Sequence, residues 1–167
     1  MTKFGFVTWA AIICVTALTL IGPPVASQGK SNELASTPII PNGVKKAHRL
    51  VLQVNSADAA AMNLALNNAT NVEQYYNGLE EKVEIEIVTF GPGLHMLRDD
   101  TSPVKDRIKA ISEKMPSISF KACGNTQENM GKAENKEIPL ISQATLVKSG
   151  VVRVMELQEQ GWTYVRP

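Results

Sequence analysis

From His48 to the C-terminus, segments with the two-residue period of a β-strand alternate with segments that carry an apolar stripe at helical spacing. The strand signal is clearest at 83–90, where apolar and acidic residues alternate. The helical signal is clearest at 102–115, which carries one apolar stripe and is stopped by Pro116. Short connections between such segments are typical of a mostly parallel sheet flanked by helices. We therefore expect an α/β domain, a three-layer sandwich around a sheet of about five strands.

The same patterns set approximate bounds for the remaining elements. A Gly-Pro-Gly turn at 91–93 should precede a short helical piece at 94–97. Crossovers between parallel strands should be right-handed. The further strands are expected at 48–55, 118–122, 145–147 and 162–165, and the further helices at 58–78, 127–135 and 150–161.

The N-terminal segment, residues 1–27, is expected to be a cleavable secretory signal peptide. One lysine precedes an apolar run of 18 residues at 4–21, and a helix-breaking Gly-Pro-Pro leads to small residues around Ser27. The alternative is a membrane anchor at 4–21, because a run of this length is at the short end of what spans a bilayer. We therefore expect a periplasmic or secreted protein, cleaved near Ser27, with membrane anchoring as the alternative.

The next segment, residues 28–47, is polar and has no sustained period, so we expect a linker before a domain at 48–167. The chain has 17 basic and 16 acidic residues, and signal cleavage would remove one lysine and no acid, which leaves a neutral domain. A neutral domain without a long basic stripe is not typical of nucleic-acid binding. We expect no nucleic-acid partner and no stable membrane insertion after cleavage.

The two cysteines give the most specific chemical information. Cys14 lies within the expected signal peptide, so the mature chain would carry Cys123 alone, without CxxC or a Cys/His cluster. We therefore expect no intramolecular disulfide, no metal and no cofactor. Cys123 lies between a predicted strand and a predicted helix start, where free N–H groups and the helix dipole stabilise an anion. Such a thiol can titrate at roughly 3.5–7.5 instead of about 8.5. The alternative is an inert core cysteine.

Ligands of an open parallel sheet bind beyond the carboxyl ends of its strands. Three loops leave those ends here, and we expect them to form one shallow site. His95 follows the Gly-Pro-Gly turn and is expected to hydrogen-bond to the thiolate or to donate a proton, although a partly exposed loop residue would give the same pattern. The expected members are Cys123 and His95 as the reactive groups, with Asn55, Gly93, Gly124 and Asn125 as ligand-binding positions.

Two groups of charged residues are expected to have no chemical role. Asp99 and Asp100 are adjacent, and adjacent acids point in different directions in most backbones, so a solvated loop explains them. Glu134, Lys136 and Glu137 likewise indicate an exposed face.

Several segments together resemble the DsrE/DsrF-like family, most closely its branch of small, often exported proteins. The segments are VNS at 54–56, FGPGL at 90–94, FKACGNT at 120–126, GVVR at 150–153 and ELQEQGW at 156–162. The resemblance covers residues 48–167 and implies an α/β sandwich that forms homo-oligomers, trimers or hexamers in several relatives. The sulfur-relay members carry a cysteine after the third strand, which accepts sulfur as a persulfide and passes it to a partner. Cys123 matches that position.

Three functions are therefore considered. The first is an exported protein that handles sulfane sulfur through Cys123, at most a sulfurtransferase-like carrier, with a sulfur donor or acceptor protein as partner. The alternative is a non-enzymatic oligomeric module that binds a small ligand or a partner and has a structural cysteine. The third is redox sensing through an intermolecular disulfide.

Overall fold

The structure is a computed structural model, and it describes residues 47–167. The expected signal peptide at 1–27, and the expected linker apart from Ala47, lie outside the described residues. In the described part of the chain, every helix is too short or too polar to span a bilayer.

Five strands form one sheet in this part of the chain. They are β1 (His48–Val54), β2 (Val83–Thr89), β3 (Ile118–Cys123), β4 (Ala144–Val147) and β5 (Thr163–Val165). Their order across the sheet is β4-β3-β2-β1-β5, and every neighbouring pair is parallel. The predicted α/β architecture is therefore confirmed, with a sheet that is parallel throughout.

Four α-helices and one 3-10 helix connect the strands. They are α1 (Ala59–Gly78), the 3-10 helix (Gly91–Leu97), α2 (Lys105–Lys114), α3 (Gly124–Glu134) and α4 (Gly150–Glu159). Asp58 caps α1, since its carboxylate accepts from the Ala60 N–H at 2.9 Å. The predicted start of α3 at Gln127 is wrong, because this helix begins three residues earlier, immediately after Cys123.

The helices lie on two faces of the sheet because the order in which strands are added across the sheet reverses once. From β1 to β4 each strand is added on the same side, and right-handed crossovers then place α1, α2 and α3 on one face. The return from β4 to β5 carries α4 across the opposite face. The main core lies between the sheet and α1 and α2, and includes Leu52, Ile87 and Phe120. A smaller core, formed by Val51, Val88, Val154 and Leu157, lies under α4.

Candidate functional site

The loops that leave the carboxyl ends of β1, β2 and β3 lie against one another. The Phe90 N–H donates to the Val54 carbonyl at 3.2 Å, and the Gly91 N–H donates to the Thr126 hydroxyl at 3.0 Å. Gly93 packs so closely on the end of β1 that an added Cβ would lie 2.1 Å from the Val54 carbonyl oxygen. Only glycine fits there, and Gly93 therefore holds the 3-10 helix against the end of the sheet.

Cys123 is both the last residue of β3 and the residue before α3. Its backbone is extended, with φ −74° and ψ 116°, as an N-cap residue requires. The sequence favours Asn125 and Thr126 as caps, yet both lie within the helix. Their N–H groups lie near the Cys123 sulfur, and the Asn125 N–H donates to the Lys148 carbonyl at 3.2 Å. Cys123 makes no side-chain capping hydrogen bond, and the helix begins at Gly124.

Four donors converge on the sulfur of Cys123. They are the Thr126 hydroxyl and the main-chain N–H groups of Gly150, Thr126 and Asn125. Burial raises the pKa of the Cys123 thiol, but the four donors together lower it by more, so its pKa lies below the ordinary value of a cysteine. The geometry therefore stabilises a thiolate.

Two helix N-termini approach the sulfur, because α3 begins beside Cys123 and α4 begins at Gly150. A Cβ added to Gly150 would lie 2.8 Å from a ring carbon of Phe90 and 3.2 Å from the Cys123 Cβ. A Cβ added to Gly124 would lie 3.2 Å from the Val147 carbonyl oxygen. The two glycines allow the helix starts to come this close, and the positive ends of both helix dipoles favour a negative charge between them.

The thiol group is enclosed, since Cys123 is only 4% exposed. Gly150, which also packs on the Phe90 ring, covers one side of the residue, and the backbone pairing of Cys123 with Val147 of β4 closes another. The sulfur nevertheless faces N–H and O–H donors, unlike an inert cysteine sealed among apolar side chains. Only a small reagent, or a local movement of the cover, can bring a reaction partner to it.

His95 lies in the 3-10 helix and bonds elsewhere. Its Nδ1 is 2.8 Å from the Thr101 hydroxyl, and the four groups that bond to the Cys123 sulfur do not include it. His95 and Thr126 line the same shallow depression of about 450 Å³, together with Pro92 and Met130. His95 is therefore a neighbour of Thr126 and borders the site. Within residues 47–167 it makes no hydrogen bond to the Cys123 sulfur.

The remaining expected members differ in what they contribute. Asn55 is half-buried at the end of β1, where its Cα lies beneath Gly93. The side chain of Asn125 is exposed and borders a second depression of about 600 Å³, shared with Lys148, Ser149 and Arg153. Its contribution to Cys123 is the main-chain N–H.

Thr126 and Gly150 are donors that sequence reasoning missed. Thr126 was visible only as a helix cap, and Gly150 is 27 positions away from Cys123 in the numbering. The Gly150 donor depends on the pairing of β3 with β4, because the register Cys123–Val147 brings the residues after each strand together, and the sequence alone does not give that pairing.

A buried arginine forms a second polar cluster that the sequence analysis did not identify. Arg98 is 1% exposed and binds both oxygens of Asp100 at 2.8 Å and those of Glu134 at 2.5 and 2.9 Å. Lys136 also binds Asp100, at 2.9 Å. The Arg98 guanidinium lowers the pKa of Glu134 to about 2 and that of Asp100 still further.

Asp99, Asp100, Glu134, Lys136 and Glu137 are exposed, as expected. Asp100, Glu134 and Lys136 in addition belong to the ion-pair cluster of Arg98, and Asp99 pairs with Lys105. The Arg98 cluster joins the end of the 3-10 helix to the end of α3. Within residues 47–167, no group of three His, Cys, Asp or Glu residues is arranged to hold a metal ion.

Comparison with known proteins yields a structural neighbour. No family model matches the chain, and no curated protein matches it. One solved structure that does match is described as a protein of unknown function, MTH1491, from Methanobacterium thermoautotrophicum. It superposes with a TM-score of 0.61 and 27% sequence identity over 72% of this chain and 99% of that chain. The likeness supports the α/β fold over the whole length of the neighbour.

Proposed function

We propose that the chain is a DsrE/DsrF-like protein that handles sulfane sulfur through Cys123, as a persulfide carrier or an accessory in sulfur transfer. The observation that carries the proposal is the convergence of four hydrogen-bond donors on one sulfur between two helix starts. A thiolate is the nucleophilic form of cysteine, and this environment favours it. The sequence resemblance around Cys123 supports the same assignment.

The proposed loading step is an attack of the Cys123 thiolate on the outer sulfur of a donor persulfide, R–S–SH. A new S–S bond forms between the Cys123 sulfur and the outer sulfur, while the original S–S bond of the donor breaks. The leaving group is the donor thiolate, R–S⁻, which carries away the negative charge. The products are Cys123–S–SH and R–S⁻, so no external oxidant or reductant is needed. Unloading is the same exchange with an acceptor thiolate.

The enclosure of Cys123 restricts the donors that can react. With 4% of the residue exposed, a polysulfide, thiosulfate or a small persulfide fits better than a rigid protein surface. A protein donor or acceptor would have to displace the cover that Gly150 provides. Small inorganic donors are therefore the appropriate first probes.

Mass spectrometry tests the proposal directly. After incubation with polysulfide at neutral pH, the peptide that contains Cys123 should gain the mass of one sulfur atom and lose it on addition of a reducing thiol. The Cys123→Ser variant, which removes only the sulfur, should gain nothing. If Cys123 stays unloaded under conditions that load a known sulfur-relay protein, the proposal is wrong.

Export belongs to the same proposal and rests on the sequence of residues 1–27. The intact mass of protein purified from its native host should correspond to a chain that begins after Ser27. A mass that includes residues 1–27 would instead support the anchored alternative.

An oligomeric binding module is the second candidate, and a specific observation favours it. Large apolar side chains are exposed around α4, with exposed fractions of 54% for Leu146, 53% for Val151, 46% for Val152 and 55% for Met155. We call these four residues the α4 patch. An apolar surface of this kind is typical of a contact with another protein, and we propose a homo-oligomer. In this case Cys123→Ser should leave assembly and partner binding intact.

A further inference from the structure

A carboxylate lies in the middle of the sheet, under α4. Glu86 of β2 is 7% exposed, and it faces α4 beside the apolar residues Val51 and Val88. Arg153 of α4 binds both of its oxygens, with Nε 3.0 Å from one and Nη2 2.6 Å from the other. The strand and the helix are thus joined by a two-point ion pair at the sheet surface.

The value of this ion pair lies in its geometry. A buried ion pair contributes little net stability, because the cost of removing two charges from water offsets their attraction, and apolar side chains often serve as well. A bidentate arginine–carboxylate pair does fix direction and distance. Apolar contacts do not fix direction and distance in this way. The small core under α4 includes two α4 residues, Val154 and Leu157. The ion pair therefore sets where α4 lies on the sheet.

The same arginine belongs to the helical turn that contacts Cys123. The Arg153 N–H donates to the Ser149 carbonyl at 3.0 Å and so closes the first turn of α4. That turn begins with Gly150, which packs so closely on Cys123 that an added Cβ would lie 3.2 Å from the Cys123 Cβ, and its N–H is one of the donors that lower the pKa of the thiol. A change in how Arg153 is held is thereby transmitted to Gly150 within one turn of helix.

We propose that Glu86 and Arg153 are positioning residues, which hold the first turn of α4 so that the Gly150 N–H stays directed at the Cys123 sulfur. This inference deepens the proposed function and rests on it only because it takes the Cys123 thiol as the reactive group. Its measurable consequence is the acidity of the thiol, which can be followed without any sulfur donor.

The direction in which the pKa of the Cys123 thiol shifts when Glu86 is replaced separates a positioning role from a purely electrostatic one. The charged groups around Cys123 on this face are Glu86 of β2, Lys121 of β3, Lys148 after β4, and Arg153 and Glu156 of α4. Removing the negative charge of Glu86 would by itself lower the pKa of the thiol, because one repulsive charge is lost. Loss of the Gly150 hydrogen bond would raise that pKa. The two explanations therefore predict opposite shifts for the same substitution.

The test is a pH titration of thiolate absorbance in the full chain, with the Cys123→Ser counterpart of each variant subtracted. This subtraction removes the contributions of Cys14 and the tyrosines, and no reagent has to reach the enclosed sulfur. Glu86→Leu should move the midpoint of thiolate formation upward by about half a pH unit or more. An unchanged or lowered midpoint in the folded protein would overturn the proposal.

Two further variants complete the test. Glu156→Gln removes a carboxylate that lies 3.8 Å from the same arginine but is exposed and does not join α4 to the sheet, so the midpoint should not rise. The double variant Glu86→Leu/Arg153→Met leaves no unpaired charge under α4 and should fold even if the single variant does not. Its midpoint should rise as well, and an unchanged one refutes the positioning role. If the midpoints move as expected while Cys123 takes up no sulfur, the positioning role stands and the proposed function falls.

Discussion

At the scale of single residues, Thr126 is the most informative contact of Cys123. Its hydroxyl accepts the Gly91 N–H at 3.0 Å and also bonds to the sulfur. A hydroxyl has one proton and two acceptor lone pairs, so it can accept from Gly91 and donate to a thiolate at the same time. Gly91 has a φ of +53°, a conformation that favours glycine, so the loop after β2 is shaped to make this contact. Thr126 thereby connects two of the three loops to the thiol.

Thr126→Val should raise the pKa of the Cys123 thiol, since the shape of the side chain is kept and the hydroxyl donor is lost. Hydrogen bonds to charged groups contribute roughly 1.5–3 kcal/mol, which corresponds to a rise of about one to two pH units in the thiolate midpoint. Thr126→Ser keeps the hydroxyl and should leave the midpoint near that of the parent. Equal shifts for the two variants would show that the hydroxyl is not the cause.

The sequence located Cys123 correctly at the end of a strand, because that position depends only on local periodicity. It could not reveal that α3 begins directly after Cys123, since the usual capping rules favour Asn125 and Thr126. Nor could it reveal the Gly150 donor, which depends on how β4 pairs with β3. Arg98 was missed for the same reason, because its carboxylate partner Glu134 comes from a distant helix.

At the scale of elements, α3 and α4 matter most because both begin beside the thiol. The existence of α3 was predictable from its capping residues and that of α4 from apolar spacing, but the closeness of their starts depends on two glycines. The tighter of these contacts is at Gly150, where a Cβ would lie 2.8 Å from the Phe90 ring. Either the ring or the helix has to move to accept a methyl group there.

Gly150→Ala should therefore lower the free energy of unfolding by about 1–3 kcal/mol, the usual cost of overpacking. Gly78 of α1 provides the matched control, since a Cβ there has no neighbour within 4 Å. Gly78→Ala should leave stability unchanged or raise it by up to about 1 kcal/mol, because alanine favours helix. Urea unfolding of the two variants measures the difference. Equal stabilities would show that α4 adjusts freely at its start.

At the scale of the whole molecule, the alternation of strand and helix patterns was enough to predict a parallel α/β sheet. The place of β5 was not predictable, because a three-residue exposed strand has little pattern of its own. Because β5 pairs with β1, the connection from β4 to β5 crosses the second face of the sheet. In the described chain, α4 is the helix that lies on this face. This arrangement leaves the α4 patch on the outside of the molecule, whereas α1 and α2 contribute Met62, Leu66, Ile108 and Ile111 to the main core.

Val151→Glu should reduce the assembly to monomers if the α4 patch is the contact between copies of the chain, because a buried unpaired charge is costly. Leu64→Glu is the matched control, since Leu64 is similarly exposed, at 46%, but lies on α1 on the opposite face of the sheet. Light scattering after size-exclusion chromatography gives the two masses. A monomeric parent, or equal dissociation by both substitutions, would contradict the proposed homo-oligomer.

The late position of α4 in the chain has a consequence for how the thiol becomes reactive. The main core contains no residue of α4, and the Gly150 donor arrives only when the last crossover closes over the sheet. A molecule that has lost its C-terminal segment to proteolysis would lack α4 and β5, and with them the Gly150 donor, so its thiol should be less acidic. The acidity of the Cys123 thiol should therefore report whether the last crossover is in place.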